Sequence, residues 1–556
     1  MSQNMDPANI ASHLPIMARQ QPDALAIIVP HERDPGGSGC ARYTYKQLDQ
    51  ESDRIAGGLR RIGIDKGTRT VLMIQPGLDF FALVFALFKV GAVLVAIDPG
   101  MGIKNLGKCL AEAGPAAFIG NRSAHLIRWL FRWGHTTLRT HVLVAKGPAL
   151  GLGKFNINRI RRLGAEHNKT PTTETKPDDV AAILFTSGST GLPKGVVYTH
   201  ANFNAQVQAL RTEYDIQPGE IDVSTFPLFA LYAPALGMTS IIPDMDFTRP
   251  GHVVPRNIIE PIRRYEATTM FGSPALLDRV GRWGAKNKIK LPSLRRVLSA
   301  GAPVSARSLE QFSSLLGPDV QIFTPYGATE CLPVCSIGSD EVLNETRIKT
   351  GQGGGICVGH PVEEMQVRII RISDKPIPAW HDDLLEETNV IGEIVVQGPQ
   401  VTEKYFNRQE ATDLAKIPVA DGSFYHRMGD VGYLDDKGRL WFCGRKSQRL
   451  RTTDCTLFTI PCEGVFNKHP IVLRSALVGI TENTTTRPVL CVELEADSKN
   501  ADPDQISNEL FEIGAAYAHT AVIKDILFHP GFPVDIRHNA KIGREALGIW
   551  AAKQLQ

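Results

Sequence analysis

Apolar runs of strand length alternate with helical patterns through the first three quarters of the chain, and this alternation limits the possible folds more than any other feature. Residues 71–74, 92–97, 181–185, 297–299 and 321–323 each read as a buried strand. Strands separated by helices build layered, largely parallel sheets covered by helices, an α/β architecture. A chain of 556 residues exceeds what one hydrophobic core usually supports, so more than one domain is expected. Beyond Gly392 the pattern becomes strand-rich at 393–397, 432–434 and 439–442, the last two joined by the turn Asp435-Asp436-Lys437-Gly438. From about Arg445, strands at 475–480 and 489–494 and a helix near 504–518 read as a small α+β lid. The expected division is a large N-terminal domain, 1–444, and a C-terminal lid, 445–556.

Residues 78–97 have the length of a membrane span, but Asp79, Lys89 and Gly91 interrupt them. A helix over 80–89 running into a buried strand at 92–97, closed by Asp98, Pro99 and Gly100, fits better. Residues 1–30 lack a basic segment followed by an apolar run and a small-residue cleavage site, so a cytoplasmic location is expected. The 61 basic and 58 acidic side chains nearly cancel, which leaves no bulk attraction for nucleic acid. The nine cysteines are odd in number, scattered and without a CxxC pair, the pattern of reduced thiols rather than a disulfide framework or a zinc site. Residues 126–139 and 154–162 combine tryptophan, phenylalanine and arginine. They read either as a cover for a membrane interface or acyl-chain entrance, or as partly buried helix with arginines reaching solvent.

The strongest local signal runs from Leu184 to Gly195. Thr186, Ser187, Gly188, Ser189, Thr190 and Gly191 follow a buried strand directly and precede Lys194. Glycines let backbone approach phosphate oxygens, hydroxyls donate hydrogen bonds and the lysine adds charge, so the segment can cradle phosphates. It departs from GxxxxGK[ST], because Pro193 precedes the lysine and Gly195 follows it. Taken alone it also reads as a surface turn.

Four more segments follow in order: Ala300-Gly301-Ala302-Pro303, Tyr326-Gly327-Ala328-Thr329-Glu330, Arg427-Met428-Gly429-Asp430 and Gly444-Arg445. With them the chain resembles the adenylate-forming superfamily of acyl-CoA synthetases, nonribosomal-peptide adenylation domains and beetle luciferases, from Tyr43 to Lys541. The resemblance implies ATP and Mg²⁺ as cofactors and a small distorted barrel beside the parallel sheets. It also implies roles that suit the side chains. Tyr326 and Gly327 face adenine with the Gly301, Ala302 and Pro303 backbone opposite, and Thr329 bonds the α-phosphate. Glu330 holds the metal, Asp430 accepts from the ribose hydroxyls, and Arg445 reaches ribose or phosphate. Singly, Asp430 also reads as a turn residue, Glu330 as a surface charge and Tyr326 as core. Near the C-terminus Lys541 matches the lysine that bridges carboxylate and α-phosphate, although Ala540 stands where a glycine is usual.

Three departures separate the chain from acyl-CoA synthetases. Ser447 occupies the usual Asp or Lys hinge, residues 451–456 lack the glycine that lines a pantetheine tunnel, and Ala230 replaces a histidine of the thiol route. Together with Arg537-His538-Asn539-Ala540-Lys541 these features resemble the β-lactone synthetases of bacterial long-chain olefin biosynthesis. That resemblance implies activation of a long-chain 2-alkyl-3-hydroxy acid and attack by its own 3-hydroxyl. It also implies a reductase and a β-lactone decarboxylase as pathway partners. Phe226, Phe229, Ala230, Tyr232 and Gly272 are candidates for the acyl pocket, or plain core. His538 is a candidate base by type alone, or a structural imidazole. A long-chain acyl-CoA synthetase, an acyl-AMP ligase and an inactive nucleotide-binding scaffold are the alternatives.

Overall fold

The computed structural model describes residues 8–33, 39–145, 151–166, 172–186, 193–482, 485–498, 501–535 and 541–556. Two seven-stranded sheets make up most of the N-terminal part. In the first, the order is Phe155–Asn156, Thr140–Leu143, Ala117–Gly120, Arg69–Met73, Val93–Ile97, Val180–Thr186 and Lys194–Thr199, with only the last pair antiparallel. In the second it is Gln321–Phe323, Arg296–Leu298, Thr269–Phe271, Ile221–Ser224, Thr239–Ile241, Leu25–Arg33 and Cys40–Thr44, again with only the last pair antiparallel. All five strands expected from apolar runs are present, because buried parallel strands must be apolar on both faces.

Between these sheets lies helix Leu78–Lys89, whose residues from Phe80 onward are all buried. A helix apolar all round needs cover all round, and here both sheets and helix Tyr45–Arg61 supply it. Among the described residues no helix is long and apolar enough to cross a membrane. Lys89 is only 1% exposed, and its ammonium lies 2.6 Å from both Asp49 Oδ1 and Asp53 Oδ1. Two carboxylates offset the desolvation of one buried cation. Helix Ile157–Ala165 packs so tightly on Tyr45–Arg61 that a Cβ at Gly164 would sit 1.7 Å from the Arg54 carbonyl oxygen. Its Arg161 pairs with Glu51 and Asp79. Ile157 and Ile160 are therefore buried against the fold while Arg159 and Arg162 reach solvent, and the large exposed apolar side chains of the two segments lie in 126–131.

The strands expected to make a barrel form one eight-stranded antiparallel sheet instead. It runs from Tyr326–Ala328 through Cys331–Ser336, Ile356–Pro361, Leu440–Arg445, Phe424–Leu434 and Gly392–Gln397 to Gln366–Ile370, with Lys416–Pro418 on the side. Among the described residues its two end strands do not pair, so the barrel is not closed. The C-terminal part has a three-stranded sheet, Val472–Glu482, Thr485–Leu494 and Asp525–Phe528, with its own apolar clusters and helices Thr459–Phe466, Pro503–Ala515 and Arg544–Gln554.

The buried triad at Lys89 has a measurable consequence. Lys89→Met keeps the volume and removes the charge, and should unfold within about 1.5 kcal/mol of the parent. Asp49→Ala/Asp53→Ala strands the ammonium and should cost about 3–5 kcal/mol in chemical denaturation.

Candidate active site

The carboxyl ends of both parallel sheets face a cavity of about 1100 Å³, whose wall includes Ile97 and Phe185 from one sheet and Phe271 and Leu298 from the other. Open parallel sheets bind ligands at that end, where successive loops diverge. Strands Arg296–Leu298 and Gln321–Phe323 are parallel neighbours, so residues 299–303 and 324–328 leave the sheet side by side. This brings Gly301, Ala302 and Pro303 near Tyr326. Gly301 has φ +101°, a backbone conformation that suits glycine. Gly327 is required by space: a Cβ there would lie 2.5 Å from the Cys331 carbonyl oxygen in the hairpin.

Asp430 and Arg445 sit opposite one another on adjacent strands. Tyr326 Oη donates to Asp430 Oδ2 at 2.7 Å, and Arg445 Nη1 lies 2.9 Å from Oδ1. That second contact is charge pairing off the hydrogen-bonding axis, so the buried Oδ1 accepts no aligned hydrogen bond. Burial raises the Asp430 carboxyl above its usual range, partly opposed by Arg445. A ribose hydroxyl would supply the missing donor, so these residues fit a nucleotide. Arg427 of the same motif has a different task. It is buried, bonded to Glu393 at 2.8 and 3.0 Å and to the carbonyls of Lys375 and Leu414, and it holds the antiparallel sheet together.

Glu330 and Thr329 lie in the hairpin after Tyr326–Ala328. Tyr405 Oη donates to Glu330 Oε1 at 2.7 Å, and Thr402 binds the Glu330 carbonyl through both its N–H and its hydroxyl. The Tyr405 ring in turn lies 4.9 Å beneath the Lys194 ammonium. The contact follows from backbone pairing, since Val196 bridges Tyr405 and Phe406 N–H donates to the Gly195 carbonyl. Glu330 Oε1 is thus engaged by Tyr405. Among the described residues no cluster of three possible metal ligands occurs.

Behind Glu330 is Lys416, whose ammonium donates to the Thr402 carbonyl. Burial pulls its pKa down to about 7, with Glu330 opposing. Neither Tyr405 nor Lys416 carries a sequence signal, because each lies more than 70 residues from Glu330 and meets it only through sheet pairing.

Phe226 and Tyr232 line the cavity. Ala230 does not; it is fully buried in the main core. Gly272 does not either, and a Cβ there would meet Leu277 at 2.6 Å, so its neighbour Phe271 supplies the wall. A chain of hydrogen bonds runs along the wall. Tyr232 donates to Gln206 Oε1, Gln206 Nε2 donates to Tyr198 Oη at 3.2 Å, and Tyr198 donates to the Thr329 carbonyl.

Ser447 is exposed in a short turn between Leu440–Arg445 and Leu450–Arg451, flanked by Lys446 bonded to Glu393 at 2.8 Å and Arg449 bonded to Asp374 at 2.8 and 3.0 Å. Lys541 is exposed, and its N–H and carbonyl pair with Asp535, closing a loop. Three residues on, Arg544 binds buried Glu463 at 2.6 and 2.7 Å and anchors that loop to helix Thr459–Phe466. Ser187, Gly188, Ser189, Thr190 and Gly191, and His538 with its neighbours 537–540, lie outside the described residues. The side chains of Thr186 and Phe229 lie outside them too; the backbone of Thr186 pairs with that of Lys194.

A lysine over a tyrosine ring, a carboxylate steadied by that tyrosine and a buried aspartate with an unfilled acceptor suit a nucleotide-dependent enzyme. The AMP-binding enzyme family matches residues 16–406, and the chain belongs to that family. Over 554 residues it is 48% identical to an olefin β-lactone synthetase of Xanthomonas campestris pv. campestris, covering 98% of each chain. It is likewise 48% identical over 558 residues to an olefin β-lactone synthetase of Stenotrophomonas maltophilia, covering 99% of each. The fold is shared with ATP-bound MatB from Rhodopseudomonas palustris, at TM-score 0.79 and 18% identity over 99% of this chain and 100% of that one.

Tyr405→Phe removes a hydrogen bond to a charged group and keeps the ring under Lys194. It should lower kcat for acid-dependent pyrophosphate release by about ten- to hundredfold and raise the Mg²⁺ needed for half-maximal rate. Lys416 gives a pH signature. The unfolded chain keeps this proton up to its ordinary pKa of 10.5, while the fold releases it near 7. The folded state therefore binds fewer protons between those values, and stability rises with pH across that window. Denaturation of Lys416→Met between pH 7 and 10 should show a flatter rise than the parent.

Proposed function

We propose that the chain joins ATP and a long-chain 2-alkyl-3-hydroxy acid into an acyl-adenylate and pyrophosphate, and then closes the acyl group to a β-lactone with release of AMP. The observation that carries this reading is the 48% identity to two olefin β-lactone synthetases along essentially the whole of each chain. The departures at Ala230, Ser447 and 451–456 favour it over a long-chain acyl-CoA synthetase or acyl-AMP ligase. A pairing as complete as Tyr405 with Glu330 and Tyr326 with Asp430 argues against an inactive scaffold.

In the first step the substrate carboxylate attacks the α-phosphorus and pyrophosphate leaves. Lys194 and, from the C-terminal lid, Lys541 balance charge on the phosphoryl group, Thr329 donates to it, and Asp430 and Arg445 hold the ribose. Thr186, Ser187, Gly188, Ser189, Thr190 and Gly191 would cradle the leaving phosphates. Glu330 would hold Mg²⁺, which neutralises phosphate charge when bound. In the second step the 3-hydroxyl oxygen attacks the acyl carbonyl carbon and AMP departs. The polar seam Tyr232–Gln206–Tyr198 offers that hydroxyl a partner in the cavity wall. Hydroxyl and carbonyl belong to one molecule, so the attack is unimolecular, and holding the hydroxyl against the carbonyl restricts the chain to the attacking geometry. The lid, divided from the rest at 444/445, would pivot at Ser447. A reductase supplying the hydroxy acid and a decarboxylase consuming the lactone are the partner activities this chemistry calls for.

Incubation with ATP, Mg²⁺ and a long-chain 2-alkyl-3-hydroxy acid, followed by proton NMR, should show the β-lactone with or without CoA. A thioester formed only when CoA is added would return the chain to the acyl-CoA synthetases. Tyr232→Phe should lower kcat/KM for the 3-hydroxy acid by about tenfold, the value of one buried hydrogen bond, and leave adenylation of the 3-deoxy acid unchanged.

A further inference from the structure

Helix Arg122–Leu130 and the turn after it leave an apolar face uncovered. Leu126, Trp129, Leu130 and Phe131 are 53, 69, 64 and 49% exposed. The three helical residues recur at i, i+3 and i+4 and so share one side of the helix. Trp133, only two residues beyond Phe131, is buried with its indole against Gly107 of helix Ile103–Ala113, so the turn anchors one ring and presents two others.

The chain segment that carries this face has nearly one sign of charge. Between positions 100 and 145 the chain has Lys104, Lys108, Arg122, Arg128, Arg132 and Arg139 against a single acid, Glu112, which Arg408 pairs at 2.7 Å. The substrate cavity reaches the same place. Its wall includes Ile127 and Ser123 of this helix and Ile103 at the start of helix Ile103–Ala113, and both Ser123 and Ile103 are exposed. An apolar cavity, an aromatic and aliphatic tip and a basic chain segment therefore meet at one mouth.

We propose that this face docks on an anionic lipid surface, with Trp129, Leu130 and Phe131 entering the acyl layer and the arginines and lysines meeting the head-group phosphates. Tryptophan and leucine on one face with basic residues around them are the elements of interfacial binding, and each cation near an anionic leaflet adds attraction that salt screens. A protein partner of matching shape would need acidic groups around its own apolar patch; a bilayer supplies both properties everywhere. In this geometry a long-chain acid dissolved in the bilayer enters the cavity without crossing water.

The test uses the full-length protein and sedimentation with phosphatidylcholine vesicles, with and without phosphatidylglycerol. The parent should co-sediment with the anionic vesicles and detach as salt is added. Trp129→Glu/Leu130→Glu should weaken that binding by at least about tenfold while its thermal unfolding stays unchanged. Arg132→Ser/Arg139→Ser should reduce the preference for anionic vesicles. Brominated acyl chains should quench the fluorescence of the parent more than that of Trp129→Phe, a readout that holds even if the double variant folds poorly. A parent that stays in the supernatant with anionic vesicles, a double variant that binds as the parent does, or equal quenching of parent and Trp129→Phe would overturn the proposal and leave the face to a protein partner.

Discussion

Two backbone hydrogen bonds, Val197 N–H to the Lys404 carbonyl at 3.2 Å and Phe406 N–H to the Gly195 carbonyl at 2.7 Å, join the antiparallel sheet to the first parallel sheet. Between them Tyr405 is fixed with its ring beneath Lys194 and its hydroxyl on Glu330. The same crossing places Thr402 on the Glu330 carbonyl and Lys416 on the Thr402 carbonyl. A cation and a carboxylate from sequence-distant segments are thus set by strand pairing, which is stiffer than any contact between two flexible side chains. The nucleotide side depends on the same junction, because Tyr326, Thr329 and Glu330 belong to one hairpin.

Buried charge separates structural tasks from functional ones. Lys89 is met by Asp49 and Asp53, Arg427 by Glu393 and three carbonyls, and Glu463 by Arg544 and the Leu477 N–H. Each of these groups is satisfied within the fold, as the cost of an unpaired interior charge demands. Asp430 differs, since its Oδ1 is buried without an aligned donor. An incomplete partner set on a buried carboxylate is where a ligand can complete the structure.

Much of this was legible in the sequence. The buried strands, the apolar helix at 80–89 and the C-terminal strands follow from hydrophobic period, which reports burial directly. The turn at 435–438 follows from its Asp and Gly, and Asp435 does accept the N–H groups of Lys437 and Arg439. Barrel closure was not legible, because pairing between strands far apart leaves no local pattern. Ala230 and Gly272 misled because an apolar residue next to a cavity and one inside the core look alike in sequence. Arg427 sits in a motif beside Asp430, yet the alternation of side chains along a strand gives it to the interior. Tyr405, Lys416 and the Tyr232–Gln206–Tyr198 seam depend on contacts across dozens to hundreds of positions and had no signal to find.

The account rests on one chemical assignment: the carboxylate is activated and the hydroxyl is the nucleophile. Isotope tracing tests this most directly. A substrate acid with both carboxylate oxygens labelled by ¹⁸O should give AMP carrying one ¹⁸O on its phosphate and a lactone carrying one ¹⁸O in the carbonyl, with the unlabelled hydroxyl oxygen in the ring. A lactone that keeps both labelled oxygens, with unlabelled AMP, would mean that the hydroxyl carbon is activated and the carboxylate attacks, and would contradict the account.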